Sequence, residues 1–311
     1  MDEVRLEPPA SVAWPSPVVT VGNFDGVHRG HQALVGAIRE EARDLGGTAV
    51  VLTFDPHPSR VLSPDRAPAS LMTLAQKAEV LGWLGVDRLA VLPFGLEMSR
   101  KDPAEFARHV LAETLGARVV VVGTNFRFGR ARAGDVTRLE ELGGTLGFRV
   151  RSLAPVLEEG APISSSRIRE ALARGDVKAA RLLAGRPFFV DGTVVRGEGR
   201  GRTLGIPTAN LDVENETVPG GGVYAGRVRF RASAGEPFPA VVNVGRRPTF
   251  GGVALTVEAH LIDHDADLYG QGLRLEFLER LREERRFPAA AALVEQIHAD
   301  VAAARRILEK P

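Results

Sequence analysis

Short apolar runs alternate with segments of helical periodicity through the first 150 residues of the chain. The runs are rich in β-branched residues and carry few polar ones, a composition typical of strands that are buried on both faces of a parallel sheet. We therefore predict four strands, at residues 18–21, 49–54, 89–92 and 119–122.

Helical segments separate these runs. In residues 34–45, apolar side chains recur at spacings of three, four and seven, which gives a helix one apolar face. Further helices are expected at 74–84 and at 103–115, the latter with Asp102 as its N-cap. Strands that alternate with helices in this way predict a doubly wound α/β domain around a parallel sheet.

The pattern changes after residue 185. A short helical pair is expected at 168–183, and beyond it short apolar strands follow one another, separated by glycine and proline. Such spacing predicts a small antiparallel β-barrel or sandwich, and we expect the barrel. We expect one domain at 1–185 and a second at 186–311. In the second, strands are predicted at 188–195, 223–230, 240–244, 255–262 and 273–278, and a terminal helix at 288–308.

The composition of the chain argues against several classes of protein. Basic and acidic residues number 40 and 39, and neither half has the positive excess that a general nucleic-acid binder needs. The chain has no cysteine, which excludes thiolate nucleophiles, disulfides and Cys-ligated zinc. No apolar stretch is long enough to span a membrane, and the N-terminus lacks the apolar core of a signal peptide. We expect a cytoplasmic protein that binds neither nucleic acid nor membranes.

The segment 22–31 joins the first predicted strand to the first helix, where α/β proteins bind phosphate. His28 and His31 are three residues apart across the start of that helix, so both imidazoles can face one side. Gly30 lets a ligand approach the backbone. Zinc is a weaker interpretation because a third ligand is missing nearby. A glycine-rich turn with two surface histidines is the alternative for each histidine alone.

The residues of segment 22–31 resemble the signature of the nucleotidylyltransferase superfamily in its flavin-specific form, as in bacterial bifunctional riboflavin kinase/FMN adenylyltransferases. The segments 54–58, 122–129 and 163–169 are similar to three further motifs of that family, in the same order. Some members carry Asp at the position of Asn125. The resemblance implies a nucleotidylyltransferase-like domain.

Adenylyl transfer joins a phosphate to the α-phosphorus of ATP, so its catalysis consists mainly of alignment and charge neutralisation. His28 and His31 are the candidate catalytic residues. The serines that open a helix, with the arginines after them, would hold the β- and γ-phosphates, although a plain helix cap is the alternative. The resemblance places Asn125 and Phe128 near the flavin, although Phe128 could equally be a core residue. The candidate ATP ligands of this half are Gly22, Phe24, Gly30, Ser164, Ser165, Arg167 and Arg169.

A second glycine-rich loop, at 195–205, carries three arginines and is followed by a Pro-Thr-Ala-Asn sequence. Glycines with positive φ can present N–H groups to phosphate, whereas a hairpin tip is the alternative. The loop resembles the riboflavin kinase signature, with Glu198 where Asp is usual. The resemblance implies that Thr208 binds Mg²⁺, with Asn210 beside it. The candidate phosphate ligands are Gly199, Arg200, Gly201 and Arg202.

Phosphorylation of an alcohol needs a carboxylate that positions and deprotonates the hydroxyl. Glu258 lies in mid-strand and could be an ordinary surface residue, but the segment 258–261 resembles a family motif in which this Glu is the catalytic base. The segment 282–287 is similar to a family segment near the flavin and offers Arg285 as a flavin ligand. Without the resemblance, this run of charged residues would be interpreted as a solvent-exposed surface.

The resemblance covers residues 18 to 308 and implies two reactions, both with ATP as co-substrate and Mg²⁺ as cofactor. The second domain would convert riboflavin to FMN, and the first would convert FMN to FAD with release of pyrophosphate. An adenylyltransferase for another acceptor is one alternative, but it leaves 188–311 unexplained. A flavin-binding regulator with inactive sites is the other.

Overall fold

The computed structural model describes residues 1–8, 10–197, 205–233, 235–249, 252–264 and 266–309, with the side chains of 246–249 and 252–254 left out. The chain divides into two compact units. The first is Met1–Ala69 with Thr73–Ser164, and the second is Ser70–Met72 with Ser165–Pro311. The predicted boundary at 185/186 stays a prediction.

A six-stranded parallel sheet forms the centre of the first unit, in the order β1-β4-β3-β2-β5-β6. From β2 the chain proceeds through β3 to β4 on one side and then returns to β5 on the other, so the predicted doubly wound α/β fold is confirmed. The four predicted runs all form strands, and β1 and β6 are additional. The strands are β1 (Asp2–Arg5), β2 (Pro17–Val21), β3 (Thr48–Asp55), β4 (Arg88–Pro93), β5 (Val119–Gly123) and β6 (Arg149–Leu153).

Helices of the first unit begin where the sequence supplies a cap. Thr73 and Gln76 form a reciprocal capping box, as do Asp102 and Glu105, and Asp135 accepts from the Arg138 N–H. The helices are α1 (Arg29–Asp44), α2 (Pro58–Leu62), α3 (Leu74–Trp83), α4 (Leu96–Arg100), α5 (Pro103–Phe106), which continues as the π-helical Ala107–Thr114, and α6 (Val136–Leu146). The short strands β7 (Leu157–Glu158) and β8 (Ala161–Pro162) form a hairpin.

The second unit is a closed antiparallel barrel in the order β10-β13-β12-β11-β14-β9, which confirms the predicted barrel. The predicted helical pair is present as α7 (Ser165–Ala173) and α8 (Val177–Ala184), and a terminal helix α9 (Ala290–Leu308) follows the barrel. The strands are β9 (Phe188–Val195), β10 (Ala209–Val213), β11 (Gly222–Phe230), β12 (Phe238–Thr249), β13 (Gly252–Leu261) and β14 (Gly272–Arg282), of which β10 is additional to the prediction.

Helix α9 covers one part of the barrel surface. Val223, Ala225 and Val241 form one apolar cluster with residues of α9, and Arg282 forms an ion pair of 2.8 Å with the buried Asp300 of that helix. The candidate kinase residues Asn210 and Glu258 lie on other strands of the same barrel, β10 and β13. Within the described part of the chain, no helix is both long and apolar enough to cross a membrane.

Candidate active sites

The loop between β2 and α1 is held by buried side chains. Phe24 and Val27 are fully buried although both have positive φ, of 49° and 37°. Non-glycine residues adopt this conformation when the surrounding structure imposes it, and such strain is typical of binding loops. Because the Phe24 side chain lies in the core, a contact between Phe24 and ATP would have to come from its backbone.

The two histidines of this loop stack on each other at the start of α1. Their ring centroids are 3.7 Å apart and their planes differ by 16°. The His28 Nδ1 accepts a hydrogen bond from the His31 N–H, at 3.4 Å, and so caps α1. The neutral ring therefore carries its proton on Nε2. Both imidazoles lie at the positive end of a helix, where anions bind favourably.

Gly30 lies tightly against this stack. A Cβ on Gly30 would lie 3.2 Å from two atoms of the His28 ring, and 3.9 Å from the Ile163 carbonyl oxygen. The structure therefore brings the segment just before Ser164 to the histidine loop. Arg29 forms an ion pair with Glu158 of the hairpin that precedes this segment. Ser165, Arg167 and Arg169 are half-buried on α7, in the second unit. The phosphate-binding roles of these residues stay predictions.

An aromatic cavity of about 670 Å³ opens beside the same loop, at the carboxyl ends of the parallel strands. Gly22 and the flavin candidates Asn125 and Phe128 line it together. The Phe126 and Phe128 rings are stacked with centroids 5.5 Å apart. Apolar concave walls with a few polar groups are typical of sites for flat organic ligands. Several further lining residues have no role predicted from the sequence, among them Phe54, His57, Phe94, Lys101 and Phe106.

His57 illustrates what the motifs alone left open. It follows β3 within the segment 54–58, its Nδ1 lies 2.6 Å from the Ser59 hydroxyl, and it caps α2. Its place in a motif was the signal, but the spacing of that motif does not indicate a chemical role.

A smaller cavity of about 130 Å³ lies in the second unit, and Thr208 and Asn210 both line it. Thr208 is exposed immediately before β10, whereas Asn210 is half-buried within it. A Cβ on Gly197 would lie 2.3 Å from the Asn210 Nδ2, so a larger residue at this position would displace the Asn210 side chain. The cavity also contains Asp267. The predicted phosphate ligands Gly199, Arg200, Gly201 and Arg202 lie outside the described residues, as does Glu198.

Strand register brings Glu258 to Asn210. Glu258 on β13 pairs with Asn210 on β10 and with Asn243 on β12, so the three polar side chains share one face of the barrel. The neighbours of Glu258 along β13, Val257 and Ala259, are buried. Residues that oppose each other directly in an antiparallel pair lie side by side. The candidate base and one candidate metal ligand therefore belong to one row.

Asn243 is a member of this row to which sequence reasoning assigned no role. A Cβ on Gly245 would lie 3.3 Å from the Asn243 Nδ2, 3.2 Å from the Thr256 hydroxyl and 2.5 Å from a carboxylate oxygen of Glu284. A second carboxylate thus lies near the end of the row. Glu284 comes from the loop after β14, and sequence spacing gives no signal of this proximity.

Arg285 follows Glu284 on the surface. Its guanidinium lies 4.8 Å from the centre of the Phe287 ring and donates a hydrogen bond to Gln296 of α9. Its flavin-binding role stays a prediction.

The oxygen donors of the second site suit Mg²⁺. Thr208 and Asn210 offer a hydroxyl and an amide oxygen on one cavity, and hard cations prefer oxygen ligands. Within the described residues, no cluster of three or more His, Cys, Asp and Glu side chains could hold a metal ion. A magnesium ion bound by Thr208 and Asn210 would therefore take further oxygens from substrate phosphates and water.

Two family models match the chain, one in each half. The FAD synthetase family matches residues 11–167, and the riboflavin kinase family matches residues 184–308.

Similar proteins cover nearly the whole chain. A bifunctional riboflavin kinase/FMN adenylyltransferase of Pseudomonas fluorescens is 42% identical over 93% of this chain and 92% of that protein. The protein with the same description from Escherichia coli K12 is 38% identical over 94% of each chain. A crystal structure described as a macrolide-efflux protein from Streptococcus pneumoniae superposes with a TM-score of 0.89 at 31% identity, over 97% of this chain and 98% of that one.

Proposed function

This chain belongs to the family of bifunctional riboflavin kinase/FMN adenylyltransferases, and from that premise we propose which of its residues carry each reaction. The second unit phosphorylates riboflavin to FMN, and the first adenylylates FMN to FAD. One observation carries the assignment: each unit has its own polar site beside its own cavity, one around His28 and His31 and one around Glu258 and Asn210.

In the adenylyl transfer, a phosphate oxygen of FMN attacks the α-phosphorus of ATP, and pyrophosphate leaves. His28 and His31 donate hydrogen bonds to phosphate oxygens as negative charge shifts toward the leaving group. Their stacking at the helix N-terminus fixes both rings before substrate binds, and preorganised donors of this kind lower the barrier most.

The aromatic cavity beside this loop receives the isoalloxazine ring of FMN. Phe128 supplies an apolar wall, and Asn125 supplies a hydrogen-bonding group at the rim. Because Gly22 lines the same cavity and begins the histidine loop, the phosphate chain of a flavin bound there can reach the loop. This arrangement aligns the two reacting phosphates, which is the main requirement of the reaction.

In the kinase reaction, Glu258 accepts the proton of the ribityl 5′-hydroxyl as its oxygen attacks the γ-phosphorus of ATP, and ADP leaves. The position of Glu258 beside Asn210 supports this role, because a general base must lie within hydrogen-bond reach of the hydroxyl that attacks the ATP phosphate. Thr208 and Asn210 would hold Mg²⁺. Bound there, Mg²⁺ would supply positive charge that offsets the negative charge of the phosphates.

The test of this proposal is product analysis after incubation of the full chain with riboflavin, ATP and Mg²⁺. We expect FMN to appear first, together with ADP, and FAD to follow, together with pyrophosphate. Binding of flavin without turnover would favour the inactive regulator. Release of pyrophosphate only with a different nucleotide acceptor would favour the other adenylyltransferase. The predicted cytoplasmic location is a separate proposal, which fractionation of cells would test.

A further inference from the structure

A lysine is buried beneath the loop that carries the two histidines. Lys77 lies in the first turns of α3 and is 8% exposed. Lysine is almost never buried to this extent without partners, because removing its charge from water is costly. The partners of Lys77 are therefore informative.

The Lys77 ammonium contacts the backbone of the loop. Its Nζ donates to the Asn23 carbonyl oxygen at 2.7 Å and to the Thr53 hydroxyl at 3.3 Å. The Thr53 hydroxyl in turn donates to the same carbonyl at 3.2 Å. Three elements thus converge on one oxygen atom: the loop after β2, strand β3 and helix α3.

Fixing this carbonyl also fixes the next peptide N–H. In a trans peptide the C=O and the N–H point in opposite directions, so an Asn23 carbonyl that is held inward turns the Phe24 N–H away from Lys77. This N–H donates to no acceptor among the described residues. Phe24 begins the strained turn that ends at His28, and its own side chain is buried, so this N–H is the part of Phe24 that is available to a phosphate.

The charge of Lys77 has its own consequence. Burial lowers the pKa of Lys77 below its ordinary value, while the carboxylates of Asp25 and Asp55 act in the opposite direction. An apolar side chain of similar length would fill this space without desolvating a charge. The buried ammonium instead places positive charge under a loop whose proposed substrate is polyanionic, where low polarity strengthens the attraction.

We propose that Lys77 is a positioning residue for adenylyl transfer, which holds the Asn23–Phe24 peptide so that the Phe24 N–H meets the ATP phosphates. The inference rests on the proposed function of the first unit. It assigns Lys77 no contact with substrate.

The test replaces the lysine in the full-length protein. Lys77→Met keeps most of the length of the side chain and removes the charge and the hydrogen bonds. We expect kcat for FAD formation from FMN and ATP to fall by about tenfold to a hundredfold, since one preorganised donor is misplaced. The KM for FMN should change little, and riboflavin phosphorylation by the same sample should stay at the wild-type rate.

Matched variants separate this role from a structural one. Lys178→Met removes an exposed lysine of α8, which pairs with Glu279 at 2.7 Å, and should leave both activities unchanged. Thr53→Val keeps the volume but removes the hydroxyl that donates to the Asn23 carbonyl and accepts from Lys77. The peptide is then held by the Lys77–Asn23 bond alone, so a several-fold fall in kcat in the same reaction is expected. This variant serves if Lys77→Met does not fold.

Two results would overturn the inference. One is a folded Lys77→Met protein that forms FAD within threefold of wild type. The other, if that variant does not fold, is a Thr53→Val protein with unchanged kcat. Failure of the proposed function would look different, because wild type itself would then make no FAD from FMN.

Discussion

The two units bring their candidate site residues together in different ways. In the first unit, Gly22, His57 and Asn125 each lie just beyond the carboxyl end of a parallel strand, and the doubly wound fold collects these ends at one edge. In the second unit, Asn210, Glu258 and Asn243 stand within three antiparallel strands and become neighbours through register. The parallel sheet thus brings loop residues together at one edge, whereas the barrel brings strand residues together on one face.

The difference extends to burial. The first site depends on groups that are buried beneath it, with His28 at 7% and Lys77 at 8% exposure, whereas Glu258 and Asn210 are half-buried on the barrel surface. Substitutions in the first site are therefore more liable to disturb packing, and those in the second to affect chemistry alone. The following variants test this contrast.

The largest effect is expected for Glu258→Gln. The amide is nearly isosteric with the carboxylate but cannot accept the proton, so FMN formation should fall by about 10² to 10⁴. The rate of riboflavin phosphorylation measures this loss, and adenylylation of supplied FMN should be unchanged.

Glu276→Gln is the matched control for this variant. Glu276 is also a barrel glutamate, on β14, where it lies 3.8 Å from Arg229. Its replacement should leave both reactions near wild type. Near-normal FMN formation by Glu258→Gln would show that Glu258 is an ordinary surface residue and not the catalytic base.

The next largest effect is expected for the double variant His28→Ala/His31→Ala. FAD formation from FMN should fall by about 10² or more, because preorganised donors to the transition state are lost. The apparent affinity for ATP should change less than kcat, and riboflavin phosphorylation should continue. His298→Ala, at an exposed position of α9, is the control. A folded double variant with FAD formation close to wild type would contradict the first-site assignment.

A smaller effect concerns stability. The structure groups α7 and α8 with the barrel, and α8 buries Val177 and Leu183 and pairs Lys178 with Glu279. Burial of such side chains contributes about 1.5–3 kcal/mol each. We therefore expect a fragment of residues 165–311 to phosphorylate riboflavin, and a fragment of 186–311 to melt at a lower temperature. Equal melting temperatures would argue against this grouping, and a folded 165–311 fragment without kinase activity would contradict a separate kinase unit.

The sequence predicted the fold of the first unit better than the arrangement of the second site. The strands of that fold are recognised from local apolar runs, whereas the second site depends on contacts between distant segments. Strands β2 to β5 are buried on both faces and form continuous apolar runs. Strand β6 is largely exposed, and β10 contains Asn210 and Asp212, so neither forms such a run. Local spacing predicted that His28 and His31 face one side, and the structure shows that they also stack. The neighbourhood of Asn210, Glu258 and Asn243 depends on register between distant segments, which spacing does not encode.

Lys77 shows a further limit. In an amphipathic helix a lysine is ordinarily a surface residue, and its burial against Asn23 depends on how α3 packs on the sheet.

The central claim, that one chain carries two separate sites, is tested most directly by mixing the two inactive variants. Glu258→Gln alone should form neither FMN nor FAD from riboflavin, ATP and Mg²⁺, and His28→Ala/His31→Ala alone should stop at FMN. The mixture should form FAD, because FMN released by one protein is adenylylated by the other. A mixture that accumulates FMN without forming FAD would contradict the claim. So would a folded Glu258→Gln protein that fails to adenylylate supplied FMN, or a folded His28→Ala/His31→Ala protein that fails to phosphorylate riboflavin.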